Sequence, residues 1–280
     1  MQRYGIAAKK GFGQNFLINA HALHEIVEAS SAGRMPQDCT MLEIGPGLGT
    51  LTQALAHEGF AQVIAIEKDE SLLPVLHEVL GEYENVAVIH GDALTLDFGN
   101  LLASLPAKRA VRLAANLPYY ITTPLLMRLL ELQIPFERMV VMVQKEVANR
   151  LVARPGTKDY GALSVAVQYY SQPTIVVTVS AGSFMPRPQV DSAVVALDLN
   201  KAGLFAHEKE AEALFFRIVR AAFAKRRKTL VNALAGDFTH LDKQKISSWL
   251  VQSDIDGMRR GETLSIAEFA ELTRVYQQLA

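Results

Sequence analysis

The sequence predicts an α/β fold with a largely parallel sheet, followed by a small all-helical domain. Short β-branched runs alternate with longer helical segments up to about residue 171, and only helical patterns follow residue 203. Two further strands come close together before that point, with no helix between them, which predicts an antiparallel last pair. The whole pattern therefore predicts seven strands in a domain of residues 1–202 and helices in a domain of residues 203–280.

The predicted strands are rich in aliphatic and β-branched residues. They are Thr40–Ile44, Gln62–Glu67, Val86–His90, Val111–Asn116, Met139–Gln144, Thr174–Ser180 and Ser192–Leu199. Helical periodicity covers Asp69–Leu80, Pro124–Gln133, Gln144 to about Arg154, Gly161–Ser171, Glu208–Phe223, Lys228–Leu234, Asp242–Gln252 and Ser265–Leu279. The change of pattern at Asn200–Gly203 predicts the domain boundary.

Composition excludes several classes of protein. With 280 residues, half of them hydrophobic, and a net charge of −1, the chain is typical of a globular protein without an overall basic field. A single cysteine, Cys39, rules out a disulfide framework or a thiolate metal cluster. The sequence has neither a secretory signal pattern nor an apolar run long enough to span a membrane. We therefore expect a cytoplasmic protein with no metal and no membrane partner.

The sharpest local signal is a glycine-rich segment, Gly45-Pro-Gly47-Leu-Gly49, between the first predicted strand and a helix. Glycines permit tight turns and a close ligand approach that a Cβ would prevent. The spacing differs from the Gly-x-Gly-x-x-Gly of dinucleotide sites, and Glu43 stands two residues before the first glycine. That acid is unfavourable beside a pyrophosphate, but it suits a positively charged ligand such as S-adenosylmethionine.

Polar residues recur regularly where the predicted strands end. Glu43, Glu67, Asp92 and Asn116 are separated by 24, 25 and 24 residues. Because ligands of open α/β sheets bind outside the carboxyl ends of the strands, we expect these side chains to converge on one cofactor crevice. Glu67 would accept from the ribose hydroxyls, and Asp92 would accept from the amine of the cofactor adenine. Alternatively, each residue only caps the helix that follows it.

The segment Asn116-Leu117-Pro118-Tyr119 ends the fourth strand beside that crevice. Methyl transfer to the exocyclic amine of a base needs two acceptors for its N–H groups, so that the nitrogen lone pair points at the donor. The Asn116 side-chain oxygen and the backbone carbonyl of Leu117 or Pro118 are the candidates. Tyr119 can stack on the base. The alternative is an ordinary strand exit that uses Asn and Pro.

These segments resemble the small-subunit ribosomal RNA adenine dimethyltransferases over nearly the whole chain. The matching segments are Lys9–Leu17, Glu43–Thr52, Ile66–Asp69, Gly91–Ala93, Asn116–Tyr119, Gln144–Glu146, Phe184–Ser192 and Phe223–Leu230. One departure is Tyr120, where many members have Asn. The resemblance implies a Rossmann-like class I methyltransferase sheet and a C-terminal helical domain that binds RNA or the ribosome.

The resemblance also implies specific contacts. The residues expected to bind S-adenosylmethionine are Asn15, Leu17, Gly45, Gly47, Glu67, Asp92 and Asn116. Residues Asn116, Leu117, Pro118 and Tyr119 would hold the target adenine, with Phe184 against its opposite face. Members of this family place two methyl groups on N6 of each of two adjacent adenosines near the 3′ end of 16S rRNA. They act on a late small-subunit assembly particle. A single active site further predicts a monomer.

Phe184 is followed by two prolines, Pro186 and Pro188, which stiffen its loop. We expect this loop to hold the Phe184 ring at the rim of the site, where a base flipped out of its stack would arrive. The alternative is a hydrophobic plug between strands.

Cations cluster locally despite the neutral total. Residues 213–236 contain six Lys and Arg and no acid, and the first 24 residues add Arg3, Lys9 and Lys10, also without an acid. The residues predicted to contact RNA phosphates are Arg217, Arg220, Arg227 and Lys228. Arg226 would fall on the apolar side of a continuous helix, so a break near Ala224–Arg226 is predicted. A solvated helix face is the alternative.

Three other functions compete with dimethylation of small-subunit RNA. A methyltransferase for large-subunit RNA, like the related resistance enzymes, would keep the chemistry, although the Phe184 loop and the C-terminal sequence argue against it. A DNA amino-methyltransferase is disfavoured because no target-recognition domain is recognisable. Finally, the protein could serve mainly as a ribosome-assembly factor whose binding matters more than methylation.

Overall fold

The computed structural model describes residues 13–103, 105–106, 109–132, 134–199, 204–205, 208–225 and 227–279. The predicted basic residues Arg3, Lys9 and Lys10, the cation Arg226 and the predicted boundary at 200–203 lie outside this part of the chain. Contacts divide the described residues into two compact units. One contains the residues up to Ala148 together with Gln172–Leu199, and the other contains Asn149–Ser171 together with the residues after 199.

The first unit contains a seven-stranded sheet and a separate two-stranded ribbon. The sheet strands are β2 (Cys39–Ile44), β3 (Gln62–Glu67), β4 (Val86–His90), β5 (Ala110–Asn116), β6 (Phe136–Gln144), β7 (Ser171–Val179) and β9 (Ser192–Leu199). The ribbon pairs β1 (Phe16–Leu17) with β8 (Phe184–Met185). All seven predicted sheet strands are present.

The strand order in the sheet is β4-β3-β2-β5-β6-β9-β7. Strand β2 pairs in parallel with both β3 and β5, and β9 runs antiparallel to β6, so the sheet is mixed. All six residues of β2 are buried, as expected for a central strand covered on both faces. The chain runs outward from β2 in both directions, which creates a topological switch point beside it.

The helices lie between and after these strands. They are α1 (Ala20–Ser31), α2 (Thr50–His57), α3 (Leu73–Leu80), α4 (Phe98–Ala103), α5 (Thr122–Glu131), α6 (Lys145–Leu151), α7 (Ala162–Tyr170), α8 (Lys209–Phe223), α9 (Leu230–Leu234), α10 (Lys243–Gln252) and α11 (Ile266–Leu279). The predicted helix Asp69–Leu80 is shorter than expected: a 3-10 turn at Glu70–Leu72 precedes α3, which carries Pro74 in its first turn. Proline is common in the first turn of a helix because the N–H groups there have no partner within the helix, so nothing is lost when one is missing.

The second unit has its own hydrophobic core, and this core corrects the predicted domain assignment. The sequence pattern predicts residues 149–171 in the first domain, but Tyr160 and Tyr169 are buried in the core of the helical unit. The Tyr160 hydroxyl donates to the Leu264 carbonyl at 2.8 Å, and Trp249 Nε1 donates to the Leu272 carbonyl at 2.9 Å. These contacts are distant in sequence, so periodicity alone did not reveal them.

Two expectations about the C-terminal helices can be compared with the structure. Helix α8 ends at Phe223 and α9 begins at Leu230, so the predicted interruption of the helix is confirmed. The predicted helix Lys228–Leu234 is two residues shorter at its start. None of the helices in the described residues is both long enough and apolar enough to cross a lipid bilayer.

Gly261 gives a test of the packing of the helical unit. A Cβ added there would lie 2.7 Å from the carbonyl oxygen of Ala222 and 2.9 Å from its carbonyl carbon. Since backbone atoms cannot move aside, we expect Gly261→Ala to lower the free energy of unfolding by about 1–3 kcal/mol, measured by denaturant titration. Gly161→Ala is the matched control, because no atom lies within 4 Å of that Cβ and the φ of −164° suits any residue. Equal stability of the two variants would contradict this packing.

Candidate active site

One pocket lies at the carboxyl ends of β2, β3, β4 and β5. The four regularly spaced polar residues Glu43, Glu67, Asp92 and Asn116 all line it, which confirms that they converge. The other predicted residues that line the same pocket are Asn15, Leu17, Gly45, Gly47, Leu117, Pro118 and Tyr119. Parallel strands bring their carboxyl ends to one edge of a sheet, so residues far apart in sequence meet there.

The glycine turn between β2 and α2 has the backbone conformation that the sequence suggested. Gly45, Gly47 and Gly49 have φ values of +72°, +59° and +82°, a region that other L-residues rarely adopt. A Cβ on Gly47 would lie 3.0 Å from two ring carbons of Phe16, whereas a Cβ on Gly45 would meet no protein atom within 4 Å. Gly47 is thus favoured by its positive φ and by the nearby Phe16 ring, and Gly45 leaves open space for a ligand.

Glu43 is an acid with almost no solvent contact. Its side chain is 1% exposed, and Oε2 is buried without a hydrogen-bond partner. Burial raises the pKa of Glu43 to about 8, while the Thr52 hydroxyl partly opposes this and the Glu67 carboxylate adds to it. The Thr52 hydroxyl oxygen is also buried, and no hydrogen bond of normal geometry joins it to another group of the described residues. An unpartnered buried carboxyl is costly, so a cationic donor group reaching Glu43 would relieve that cost.

Glu67 holds two loops together. Its Oε1 accepts from the Asp69 amide at 2.7 Å, and its Oε2 accepts from the Gly47 amide at 3.3 Å. Burial raises the pKa of Glu67, and these backbone donors oppose that increase. The carboxylate therefore stabilises the glycine turn and also lines the pocket. Glu67 thus has a structural role in addition to the ribose contact, which stays a prediction.

Asp92 is fixed by a cation that sequence reasoning missed. Lys68 Nζ lies 2.8 Å from Asp92 Oδ2, and the Leu94 amide donates to Asp92 Oδ1 at 2.9 Å. The bond from Lys68 holds the pKa of Asp92 below its usual range. Lys68 also lines the pocket. Its position directly after Glu67 was the available signal, because the loop that follows a pocket-lining strand also faces the ligand.

The helix-capping alternative does not describe Glu67 or Asp92. Their carboxylates accept from amides two residues later, which stabilises local turns. The residue that caps the 3-10 turn after β3 is Asp69, and the helix after Asp92 begins only at Phe98. Both carboxylates line the pocket, so these turn bonds are compatible with ligand binding.

Hydrogen bonding in the acceptor turn distinguishes its two carbonyls. The Pro118 carbonyl accepts from the Ile121 amide and from the Thr122 hydroxyl, each at 3.1 Å, which uses both of its lone pairs. The Leu117 amide donates to Met142, but no donor among the described residues reaches the Leu117 carbonyl. The sequence left Leu117 and Pro118 open as alternatives, and these bonds favour Leu117.

Asn116 is oriented by the segment before β1. Its Nδ2 donates to the Asn15 carbonyl at 3.0 Å. Within the described residues, its Oδ1 has no donor. Tyr119 is also oriented, because its hydroxyl lies 2.9 Å from Ser192 Oγ. The residues of the turn that line the pocket thus offer an amide oxygen, a carbonyl that accepts from no described residue, and an aromatic ring held through its hydroxyl.

Phe184 does not lie where the sequence suggested. It is 3% exposed, belongs to the hydrophobic core of the first unit and pairs with Leu17 across the ribbon. The expected position at the rim is therefore wrong, and the hydrophobic-plug alternative describes its surroundings. The two prolines do not prevent burial, because residue 184 lies in the paired ribbon before them. Its implied contact with the base stays a prediction.

The four predicted RNA-binding cations differ in availability. Arg217 donates to the Asp237 carboxylate at 2.6 Å and to the Asp237 carbonyl at 3.0 Å, and its guanidinium lies 4.3 Å from the centre of the Phe238 ring. Arg220, Arg227 and Lys228 are exposed and form no ion pair with the described residues. Arg217 therefore has a structural role, and the other three remain available to phosphates.

The burial of Glu43 predicts a pH dependence of stability. The ordinary pKa of a glutamate is 4.5, and burial raises that of Glu43 to about 8. Between these values the unfolded chain has lost the proton that the folded protein retains, so the free energy of unfolding falls as pH rises. Glu43→Gln does not titrate. We therefore expect it to gain stability relative to wild type by a few kcal/mol between about pH 5 and pH 8.

Thermal or denaturant unfolding across that pH range measures this difference. Glu58→Gln, which changes an exposed carboxylate near the end of α2, should keep the wild-type profile. A constant difference between wild type and Glu43→Gln across the range would contradict the buried, protonated carboxyl.

Comparisons with known proteins agree with this geometry. A family model described as ribosomal RNA adenine dimethylase matches residues 5–272. A ribosomal RNA small subunit methyltransferase A from Alkaliphilus metalliredigens is 45% identical over 98% of this chain and 93% of its own length. The protein of that name from Geobacillus kaustophilus is 46% identical, over all of this chain and 94% of its own.

Solved structures show the same relationship. A dimethyladenosine transferase from Plasmodium falciparum superposes with a TM-score of 0.76 at 25% identity, covering 94% of this chain and 98% of its own. The 23S rRNA methyltransferase ErmE gives a TM-score of 0.70 at 25% identity, covering 94% and 100%. These are methyltransferases with the predicted Rossmann-like sheet and helical C-terminal part. The chain belongs to the ribosomal RNA adenine dimethylase family.

Proposed function

We propose that this protein uses S-adenosylmethionine to dimethylate N6 of two adjacent adenosines near the 3′ end of small-subunit ribosomal RNA, on a late assembly particle. The observation that carries the proposal is the acceptor turn. Two oxygens that receive no hydrogen bond from the described residues, Asn116 Oδ1 and the Leu117 carbonyl, belong to residues lining a pocket whose acids suit a cationic ligand. Family membership supports the reaction, and the names of the relatives support the small subunit.

The pocket fits the methyl donor in its chemistry. S-adenosylmethionine supplies an electrophilic methyl group on a sulfonium and also carries an ammonium group. Glu43 Oε2, buried and unpartnered, would receive positive charge, and the open space at Gly45 admits a ligand against the backbone. Glu67 and Asp92 would accept from the ribose hydroxyls and the adenine amine, with Asn15 and Leu17 covering the pocket.

The acceptor turn would orient the target amine. Asn116 Oδ1 and the Leu117 carbonyl each accept one N–H of the base, which leaves the nitrogen lone pair free to face the methyl group. Tyr119, anchored through Ser192, stacks on the base. No strong general base is required, because the sulfonium is already activated and the proton leaves after transfer. Positioning therefore provides most of the rate enhancement.

The same two acceptors also explain release of the product. A monomethylated amine keeps one N–H and satisfies one acceptor, so it can still be held for a second transfer. A dimethylated amine has none, so both oxygens lose their donors in a partly buried site. Dimethyladenosine is therefore bound more weakly than adenosine and leaves the pocket.

The remaining aspects of the proposal concern the partner. Relatives named for the small subunit are 45–46% identical to this chain and ErmE is 25% identical, which favours small-subunit over large-subunit RNA. The RNA names of these relatives favour RNA over DNA. We further propose that the protein acts as a monomer in the cytoplasm, with one pocket that serves both the methyl donor and the target base.

Asn116→Ala tests the acceptor turn. Removal of one of the two amine acceptors should lower methyl transfer to unmodified small subunits by about 100-fold or more, because the lone pair is no longer aimed. Transfer is measured with labelled donor followed by nucleoside analysis, in which wild type yields N6,N6-dimethyladenosine.

The control is Asn100→Ala, an exposed asparagine outside the pocket, which should keep the wild-type rate. The Asn116 variant should still bind the particle, which separates the enzyme from a pure assembly factor. A wild-type rate for Asn116→Ala would overturn the acceptor-turn mechanism.

The exposed cations predict a salt-dependent interaction. The triple variant Arg220→Ala, Arg227→Ala, Lys228→Ala should weaken particle binding and reduce the slope of log affinity against log salt by about 2–3, roughly one for each phosphate that the variant no longer neutralises. Lys209, Lys243 and Lys245, exposed cations of the same helical unit, provide a matched triple alanine control with the same charge change. Equal slopes for the two triple variants would show that the three cations form a solvated helix face only.

A further inference from the structure

The two-stranded ribbon carries an exposed apolar pair that the proposed reaction has not used. Ile18 is 63% exposed and Met185 is 58% exposed, although both are large hydrophobic side chains. Single exposed apolar side chains are common on protein surfaces, so the position of this pair beside the candidate active site is what makes it informative.

The ribbon places these two side chains on one face. Phe16 pairs with Met185 and Leu17 pairs with Phe184, and the Ile18 amide donates to the Ser183 carbonyl at 2.9 Å. Because side chains alternate across a strand, Leu17 and Phe184 point into the core. Ile18 and Met185 therefore lie on the opposite side of the ribbon together with Phe16, which is half-buried at the pocket, while Ile18 and Met185 are exposed.

The residues next to Ile18 and Met185 are held by core packing and hydrogen bonds. Leu17 and Phe184 are part of the hydrophobic core of the first unit. Asn19 follows Ile18, caps α1 through the Ala22 amide and donates to Ser183 Oγ at 3.1 Å. The exposed side chains are thus held in position by packed residues on either side of them.

The ribbon is continuous with the candidate active site. Phe16 and Leu17 line the pocket, the Phe16 ring packs against Gly47, and the Asn15 carbonyl accepts from Asn116. Arg187, two residues after Met185, is exposed and forms no ion pair with the described residues. The apolar pair therefore adjoins both the acceptor turn and a cation that suits an RNA phosphate.

We propose that Ile18 and Met185 form a wedge that occupies the space vacated in the RNA stack when the target adenosine enters the pocket. This inference rests on the proposed function. A base in a stacked loop must be flipped out before its amine can reach the acceptor turn, and unstacking is unfavourable. Apolar side chains such as Ile and Met offset that cost in other nucleic-acid-binding proteins by inserting between bases. The occupant of this face is thus the RNA strand that flanks the target.

Polar substitution of the wedge tests this. Ile18→Ser and Met185→Ser together should lower the single-turnover rate of methyl transfer to small subunits by about tenfold or more, because the unstacked state loses its support. Binding of S-adenosylmethionine, measured by calorimetry, should stay within about twofold of wild type, because neither side chain lines the pocket. Ile18→Leu with Met185→Leu should keep most of the rate, since the apolar volume is retained.

The matched control is Ile175→Ser, an apolar residue 40% exposed on β7, and it should transfer methyl groups at the wild-type rate. A wild-type rate for the double serine variant would overturn the wedge. Weakened donor binding in that variant, or failure of the leucine pair to restore the rate, would mean a structural role and would also overturn it.

A photocrosslinking residue gives a second, independent readout. At position 185 it should crosslink to the nucleotides directly beside the modified adenosines, and at position 175 it should not. Crosslinks from position 185 to a ribosomal protein instead would overturn the proposal. If the wild-type protein did not methylate small subunits at all, that result would contradict the proposed function and therefore also the wedge.

Discussion

The active site depends on one buried carboxylate that joins two loops. Glu67 accepts from the Gly47 amide of the turn after β2 and from the Asp69 amide of the loop after β3. A carboxylate without such donors would be costly at this depth, and the glycine turn without an acceptor would lose its shape. The Phe16 ring of the ribbon lies close to this turn, since a Cβ on Gly47 would be 3.0 Å from two of its carbons.

Two buried acids, Glu43 and Glu67, line the pocket, and a cationic ligand would favour their charged forms. Burial raises the pKa of Glu43 to about 8 and also raises that of Glu67, and the Glu67 carboxylate adds to the increase at Glu43. Within the described residues, Asp92 alone of the three pocket acids pairs with a cation, Lys68. At neutral pH Glu43 therefore keeps its proton until a positively charged group of the donor approaches it, whereas the acceptor turn offers uncharged oxygens to the uncharged amine of a base.

Charge counted along the chain is a poor measure of charge available to a partner. Arg217 is engaged by Asp237, twenty residues later, while Arg220, Arg227 and Lys228 are free within the described residues. The hydrophobicity of a segment likewise does not predict which of its side chains is buried, because Phe184 is buried and its neighbour Met185 is exposed. In both cases residues from other parts of the chain determine whether a side chain is paired, buried or exposed. A local sequence pattern cannot identify those residues.

The sequence alone determined the seven-stranded sheet, the helical C-terminal unit and the convergence of Glu43, Glu67, Asp92 and Asn116, because period-2 and period-3.6 patterns and strand ends are local properties. Only the tertiary structure assigned residues 149–171 to the helical unit, chose Leu117 over Pro118 as the free acceptor and buried Phe184. Each of these depends on which surface or donor a distant segment supplies, and packing of the whole chain fixes that choice.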